Sequence, residues 1–218
     1  MTHKKTLLLA AAAAAAALLA GCAALESKPD YDALVDQMMT GSFRDEGIAK
    51  VDRLQQDASN AACSKAQGDS PPEDVADAIQ QAALKSVRMP SDGKFIGDWR
   101  EGEKLAQNGR GMTWTDKSAA PAANGGNCYN CHQITKAEIS YGTIGPSLYQ
   151  YGKNRGVTDA ESPTAKPIIE YTWAKMWNAK AYNACSGMPR FGHAGLLDEK
   201  QLKDLMALIL DPKSPVNQ

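Results

Sequence analysis

Two cysteines and a histidine fall within Cys128-Tyr129-Asn130-Cys131-His132. That spacing admits three chemistries: a metal clamp, a redox dithiol, or covalent attachment of a porphyrin. Zinc needs four ligands, or three and a water, yet beyond residues 1–21 the only other histidine is His193, and there is no second close Cys pair. A thioredoxin-type dithiol needs a βαβ setting, and no run of the chain has a convincing strand pattern. Cys-x-x-Cys-His in an exported, helical chain fits haem attachment. Cys128 and Cys131, three apart on one turn, can each add to a vinyl group of the same porphyrin, which sets His132 under the iron. The expected cofactor is one covalent haem c, with thioethers at Cys128 and Cys131 and His132 as an axial ligand.

The opposite axial position has four downstream candidates: Met176, Met188, His193 and Met206. Met206 and Met176 sit on apolar helix faces, where a methionine usually serves as core. Met188 lies in Ser186-Gly187-Met188-Pro189, a stretch that keeps out of a helix and leaves the thioether free to reach a buried metal. It is favoured, with His193 as runner-up. Gly145-Pro146 marks a loop whose carbonyl, that of Pro146, is expected to accept from the second ring nitrogen of His132, unless it is a plain turn. Arg155 and Arg190 are candidates to screen propionates, with a surface role as the alternative.

These residues must be positioned by helices. Aromatic residues make up only 6% of the chain, which favours helices over a β-sandwich. Ile48, Val51, Leu54 and Ala58 recur at helical spacing. Ser70-Pro71-Pro72-Glu73 reads as a capping box opening a helix with Val75, Ile79 and Ala82 or Ala83 on its apolar stripe. Asp98 caps a helix carrying Trp99, Gly102, Leu105 and Ala106; residues 107–127 read as loop, and a further helix spans roughly Pro167 to Trp177. In the last helix Asp198 caps, Gln201 completes the box, Leu197 staples to Leu202, and Leu205, Met206 and Ile209 extend the buried face to a stop at Asp211-Pro212.

The N-terminus carries Lys4 and Lys5, then only Leu and Ala from Leu7 to Ala20, shorter than the roughly 20 residues of a membrane-spanning helix and typical of an export signal. Leu19-Ala20-Gly21-Cys22 resembles the lipobox of bacterial lipoproteins, in which the cysteine is acylated; ordinary cleavage within Ala20–Ala24 is the alternative. The expected organisation is a signal peptide at 1–21, a tether and helical extension at 22–92, and the haem domain at 93–218. The location expected is the periplasm, with membrane attachment if Cys22 is acylated. Loss of residues 1–21 leaves 22 basic against 25 acidic residues, a mildly acidic surface unsuited to nucleic acid. With Cys22, Cys128 and Cys131 assigned, Cys63 and Cys185 remain. An even remainder in an oxidising compartment points to a disulfide, with two buried free thiols as the alternative.

The ordered set "GDWREGEKLAQNGRGMTW", "GGNCYNCHQ", "SYGTIGPSLYQYGKNRG", "NACSGMPRFGHAG" and "DLMALILDPKSPVN" resembles the SoxX family of sulfur-oxidising bacteria, most densely from Gly97 to Asn217. The resemblance implies an all-α, class I cytochrome c-like domain with an N-terminal helical extension, haem on Cys128 and Cys131, and His132 and Met188 as axial ligands. It also implies a role as the monohaem subunit of a heterodimeric SoxAX complex, an L-cysteine S-thiosulfotransferase that couples thiosulfate oxidatively to a cysteine of the SoxYZ carrier. The catalytic haem is expected on the SoxA-type partner, so this chain would be a non-catalytic redox subunit that passes electrons to a soluble cytochrome c. The alternatives are a freestanding electron-transfer lipoprotein and a gas sensor in which Met188 leaves the iron. The lipobox departs from the soluble members of that family, and Asp159-Ala160-Glu161-Ser162-Pro163-Thr164 looks like a local insertion.

Overall fold

The computed structural model describes residues 29–218; the signal segment and Cys22 lie outside the described residues. Seven α-helices follow in chain order: α1 Tyr31–Ser42, α2 Ala58–Lys65, α3 Glu73–Lys85, α4 Trp99–Gln107, α5 Tyr151–Asn154, α6 Lys166–Trp177 and α7 Glu199–Leu210. Among the described residues there is no strand, only an isolated bridge between Glu46 and Ala49. Two compact units meet in sequence at Arg44 and Asp45. The described part of the first contains α1, which starts where the Asp30 side chain accepts from Ala33 N–H. Tyr31, Leu34, Val35 and Met38 form an exposed apolar stripe on it.

The second unit is organised around α7. Leu202, Met206, Leu208 and Leu210 are fully buried, and Leu205 nearly so. Each such side chain contributes roughly 1.5–3 kcal/mol by leaving water. The reciprocal capping box between Asp198 and Gln201 fixes where the helix starts. α4 crosses α7 at backbone contact: a Cβ on Gly102 would lie 2.1 Å from the Asp204 carbonyl oxygen, so only glycine permits this approach. Asp204, buried at 4% exposure, accepts from the Asp98 N–H at 2.9 Å and pairs with Lys200 at 2.6 Å, which locks the start of α4 onto α7.

Behind this pair lies α6, whose Trp173 is fully buried and meets Phe95 edge-on at 5.5 Å. The Trp173 indole N–H donates to the Arg88 carbonyl at 2.8 Å, and Asn178 donates to Ser86 at 3.0 Å. These bonds fasten the end of α3 against α6 and the 3-10 turn Ala179–Ala181. α2 and α3 thus belong to the same compact unit as the residues after 93.

Two local expectations are corrected. The Ile48–Ala58 periodicity does not make a helix. The chain turns at Glu46–Ala49 and forms a short 3-10 turn at Val51–Leu54, and α2 begins only after Asp57, whose carboxylate accepts from Asn60 N–H. Ser70 does not cap α3. Pro72 occupies the cap position with no side-chain bond, because the two prolines lie before the first turn rather than inside it.

Candidate haem site

Cys128–Asn130 forms a 3-10 turn entered through Asn127 in the left-handed conformation. The Cys128 carbonyl accepts from both Cys131 N–H and His132 N–H, at 3.1 and 2.9 Å, which winds the pair of thiols and the imidazole onto one tight turn. Tyr129, between the cysteines, is buried, and its hydroxyl donates to Glu103 of α4 at 2.9 Å and lies 3.0 Å from Thr135 Oγ1. Burial pushes this phenol up to about 12, with the Glu103 carboxylate adding to the effect. Gly126 N–H to the Leu105 carbonyl and Asn127 N–H to the Asn108 carbonyl, at 2.9 and 3.0 Å, tie the approach to the end of α4. The attachment turn therefore hangs on the α4–α7 pair.

The loop from Gln133 to Leu148 returns over His132. Three backbone bonds hold it: Gly142 N–H to Tyr129, Gly145 N–H to Cys131 and Leu148 N–H to Gln133, at 2.7–2.8 Å. Gly145 presses on the imidazole so closely that a Cβ there would lie 2.2 Å from His132 Cε1. The Pro146 carbonyl then accepts from His132 Nδ1 at 2.6 Å. A carbonyl can only accept, so Nδ1 carries the proton and Nε2 keeps its lone pair for a metal.

The thiols fit attachment better than the rival chemistries. Cys63 and Cys185 form a disulfide with Cα atoms 5.5 Å apart, and Cys128 and Cys131 stay outside it. Burial first, then the neighbouring Cys131, raises the Cys128 thiol to about 12. Among the described residues no group of three or more His, Cys, Asp and Glu side chains gathers as a metal-ion site. Two buried polar atoms have no partner among the described residues: Asn124 Oδ1, four positions before Cys128, and Trp177 Nε1. The paired thiols and the pinned imidazole fit a haem.

The rival axial residues separate by burial. Met206 and Met176 are buried members of the core, whereas Met188 is half-buried on a loop, with its N–H donating to Ser186 Oγ. His193 is exposed, and its backbone N–H donates to the Trp177 carbonyl. The Met188 segment is braced on both sides, by the disulfide at Cys185 and by an ion pair of Arg190 with Asp57 of the α2 cap. Burial pushes the Asp57 carboxyl up, but bonds from Ser59, Asn60 and Arg190 outweigh it and hold the group well below the usual carboxylate range. Arg190 is thus committed to Asp57, and Arg155 stacks on the Tyr151 ring at 3.6 Å. The Tyr129–Glu103 link and the Arg190–Asp57 brace escape sequence reading, because they join residues far apart with no periodic signal.

Residues 120–212 match the cytochrome c family. The chain is also 35% identical over 149 residues to an "Uncharacterized lipoprotein" of Aquifex aeolicus strain VF5, an alignment spanning 66% of this chain and 64% of that relative's length. The helical architecture without strands among the described residues is that of the all-α class I cytochrome c fold. The cofactor is covalently bound haem c. No helix of the described residues is long and apolar enough to cross a membrane.

Proposed function

From a cytochrome c domain with covalently bound haem c, we propose that this chain is the electron-transfer subunit of a SoxAX-type complex. It would accept electrons while a larger, SoxA-type cytochrome joins thiosulfate to a cysteine of the SoxYZ carrier. When bound, the haem supplies a one-electron iron couple. In this reading Cys128 and Cys131 would hold the porphyrin, and His132, through Nε2, and Met188, through its thioether, would be the iron's protein ligands. The Pro146 carbonyl keeps the His132 proton on Nδ1 and fixes the ring, and a methionine ligand favours the reduced iron, which suits an acceptor. Joining two sulfur centres releases two electrons, so the chain must be relieved by a soluble cytochrome c between steps.

The observation that carries the partnership is the surface beside His132. Ile139 and Ile144, on the loop that ends at Pro146, are 89% and 88% exposed. The charges on the same loop are opposite in sign, Lys136 stacked on Tyr149 and Glu138 accepting from Ser140 N–H. An apolar, charge-neutral patch supports a stable subunit contact rather than charge-steered transient docking. The test is co-purification of the tagged chain from the cells that make it. A larger cytochrome at one-to-one stoichiometry, and loss of thiosulfate-dependent cytochrome reduction on deletion, are the expected results; recovery as a monomer with reduction intact rejects the reading.

A second reading, a freestanding electron-transfer lipoprotein serving another oxidoreductase, draws on the lipoprotein name of the Aquifex relative. It shares the periplasmic location and the acylated Cys22, and that monomer result would leave it standing.

A further inference from the structure

A cleft of about 560 Å³ opens between α2, α3 and the segment after α6, and none of Cys128, Cys131, His132 and Met188 lines it. Its walls are mostly apolar, with Ala62 from α2 and Val75, Ala78 and Ile79 from α3, and Asp74 of α3 is the one carboxylate among the lining residues. Lys180, His193 and Arg190, the last paired with Asp57, also line it. The volume lies within the range of roughly 300–1,000 Å³ typical of small-ligand sites.

Lys180 gives the cleft its chemistry. The residue is only 4% exposed, and its Nζ donates to a single acceptor, the Ala184 carbonyl at 3.1 Å. An ammonium has three protons to place, and no carboxylate among the described residues lies within ion-pair distance of it. Asp57, the nearest source of compensation, is taken up by Arg190. Burial first, then the Arg190 charge, lowers the Lys180 ammonium below its ordinary value, against a smaller opposing pull from Asp57. A buried cation of this kind is unfavourable until an anion meets it.

We propose that this cleft binds an amphipathic monoanion, its carboxylate or sulfonate head against Lys180 and its short apolar body along α3. The apolar walls oppose a small, strongly hydrated anion such as sulfate, and Asp74 in the lining, with Asp57 behind Arg190, disfavours a second negative charge. The site is independent of the haem assignment.

Calorimetric titration of the haem-loaded chain tests it, with hexanesulfonate and hexanoate as probes and sulfate and hexanol as controls. One saturable site is expected for hexanesulfonate or hexanoate, whichever head fits, with sulfate and hexanol weaker by roughly tenfold or more. Lys180→Met should weaken the better probe by roughly tenfold or more. Ala78→Phe, which fills the cleft and keeps Lys180, should abolish binding even if Lys180→Met fails to fold. No saturable binding of either probe at millimolar concentration, or undiminished binding by Ala78→Phe or by a folded Lys180→Met, overturns the proposal.

Discussion

The Pro146 carbonyl stands 2.6 Å from His132 Nδ1, and Gly145 packs so close to the same ring that no side chain fits between them. A residue 14 positions downstream thus sets which nitrogen of His132 is free for a metal. Gly145→Ala should break this arrangement, since its Cβ would fall 2.2 Å from Cε1. Moving the ring or the loop should cost about 1–3 kcal/mol. A lower thermal midpoint together with an altered haem spectrum is the expected result, read by melting and absorbance; an unchanged spectrum would mean that the loop does not position the imidazole.

Met188→Ala should leave the core intact, because the side chain is only half-buried on a loop. The potential should fall on the order of a hundred millivolts, within the roughly 0.8 V span that axial ligands set. The reduced protein should also bind carbon monoxide, which the parent should resist. Redox titration and a carbon monoxide difference spectrum measure both, and an unchanged ligand-field spectrum would return the assignment to His193.

The disulfide closes a sequence separation of 122 residues. In the chain-entropy picture a loop of that size contributes about 5 kcal/mol, and loss of a native bridge commonly costs about 2–5 kcal/mol. The Cys63→Ser, Cys185→Ser pair should lower the denaturation midpoint accordingly. It should also speed displacement of the Met188 ligand, since one of the two braces on that segment is gone.

The other brace is acid-sensitive. The folded Asp57 carboxyl titrates below its ordinary value, so its pairing with Arg190 is fully present above about pH 5 and is lost as pH falls through that ordinary value toward the folded one. The Asp57 side chain is 42% exposed, which keeps the contribution small. Asp57→Asn should flatten the acid limb of a stability–pH profile below pH 5 and leave the alkaline side unchanged; a parallel profile would contradict the pairing.

Ile144→Asp should shift thermal stability by no more than about 0.5 kcal/mol, because the side chain is nearly fully exposed. Binding to the larger cytochrome should weaken sharply, since a buried charge would replace the apolar contact. Pull-down with the variant reads this directly, and unaltered capture would place the partner on another face.

Much of this was legible in residue order where a local rule applies. The Cys128–His132 spacing, the Asp198–Gln201 box and the apolar stripe of α7 each obey a short-range pattern. Gly145-Pro146 pointed to the acceptor for His132 in the same way. What stayed hidden depends on the third dimension or on competing local signals. The apolar spacing of Ile48, Val51 and Leu54 suggested a helix, but the turn at Glu46–Ala49 and the Asp57 cap partition that stretch. α1 was missed because its apolar stripe sits among acidic residues after a polar lead-in. Tyr129 occupies an unconstrained position of its motif, and only the fold brings it to Glu103.

The central claim is a porphyrin bonded through sulfur at Cys128 and Cys131. Mass spectrometry of the proteolytic peptide spanning Cys128 to His132, taken from haem-loaded protein after extraction with acidified organic solvent, tests it most directly. That peptide should carry the mass of one haem, retain its colour, and in Cys131→Ser keep at most one thioether with much less mature protein recovered. An unmodified peptide, with the pigment in the organic phase, would contradict the account.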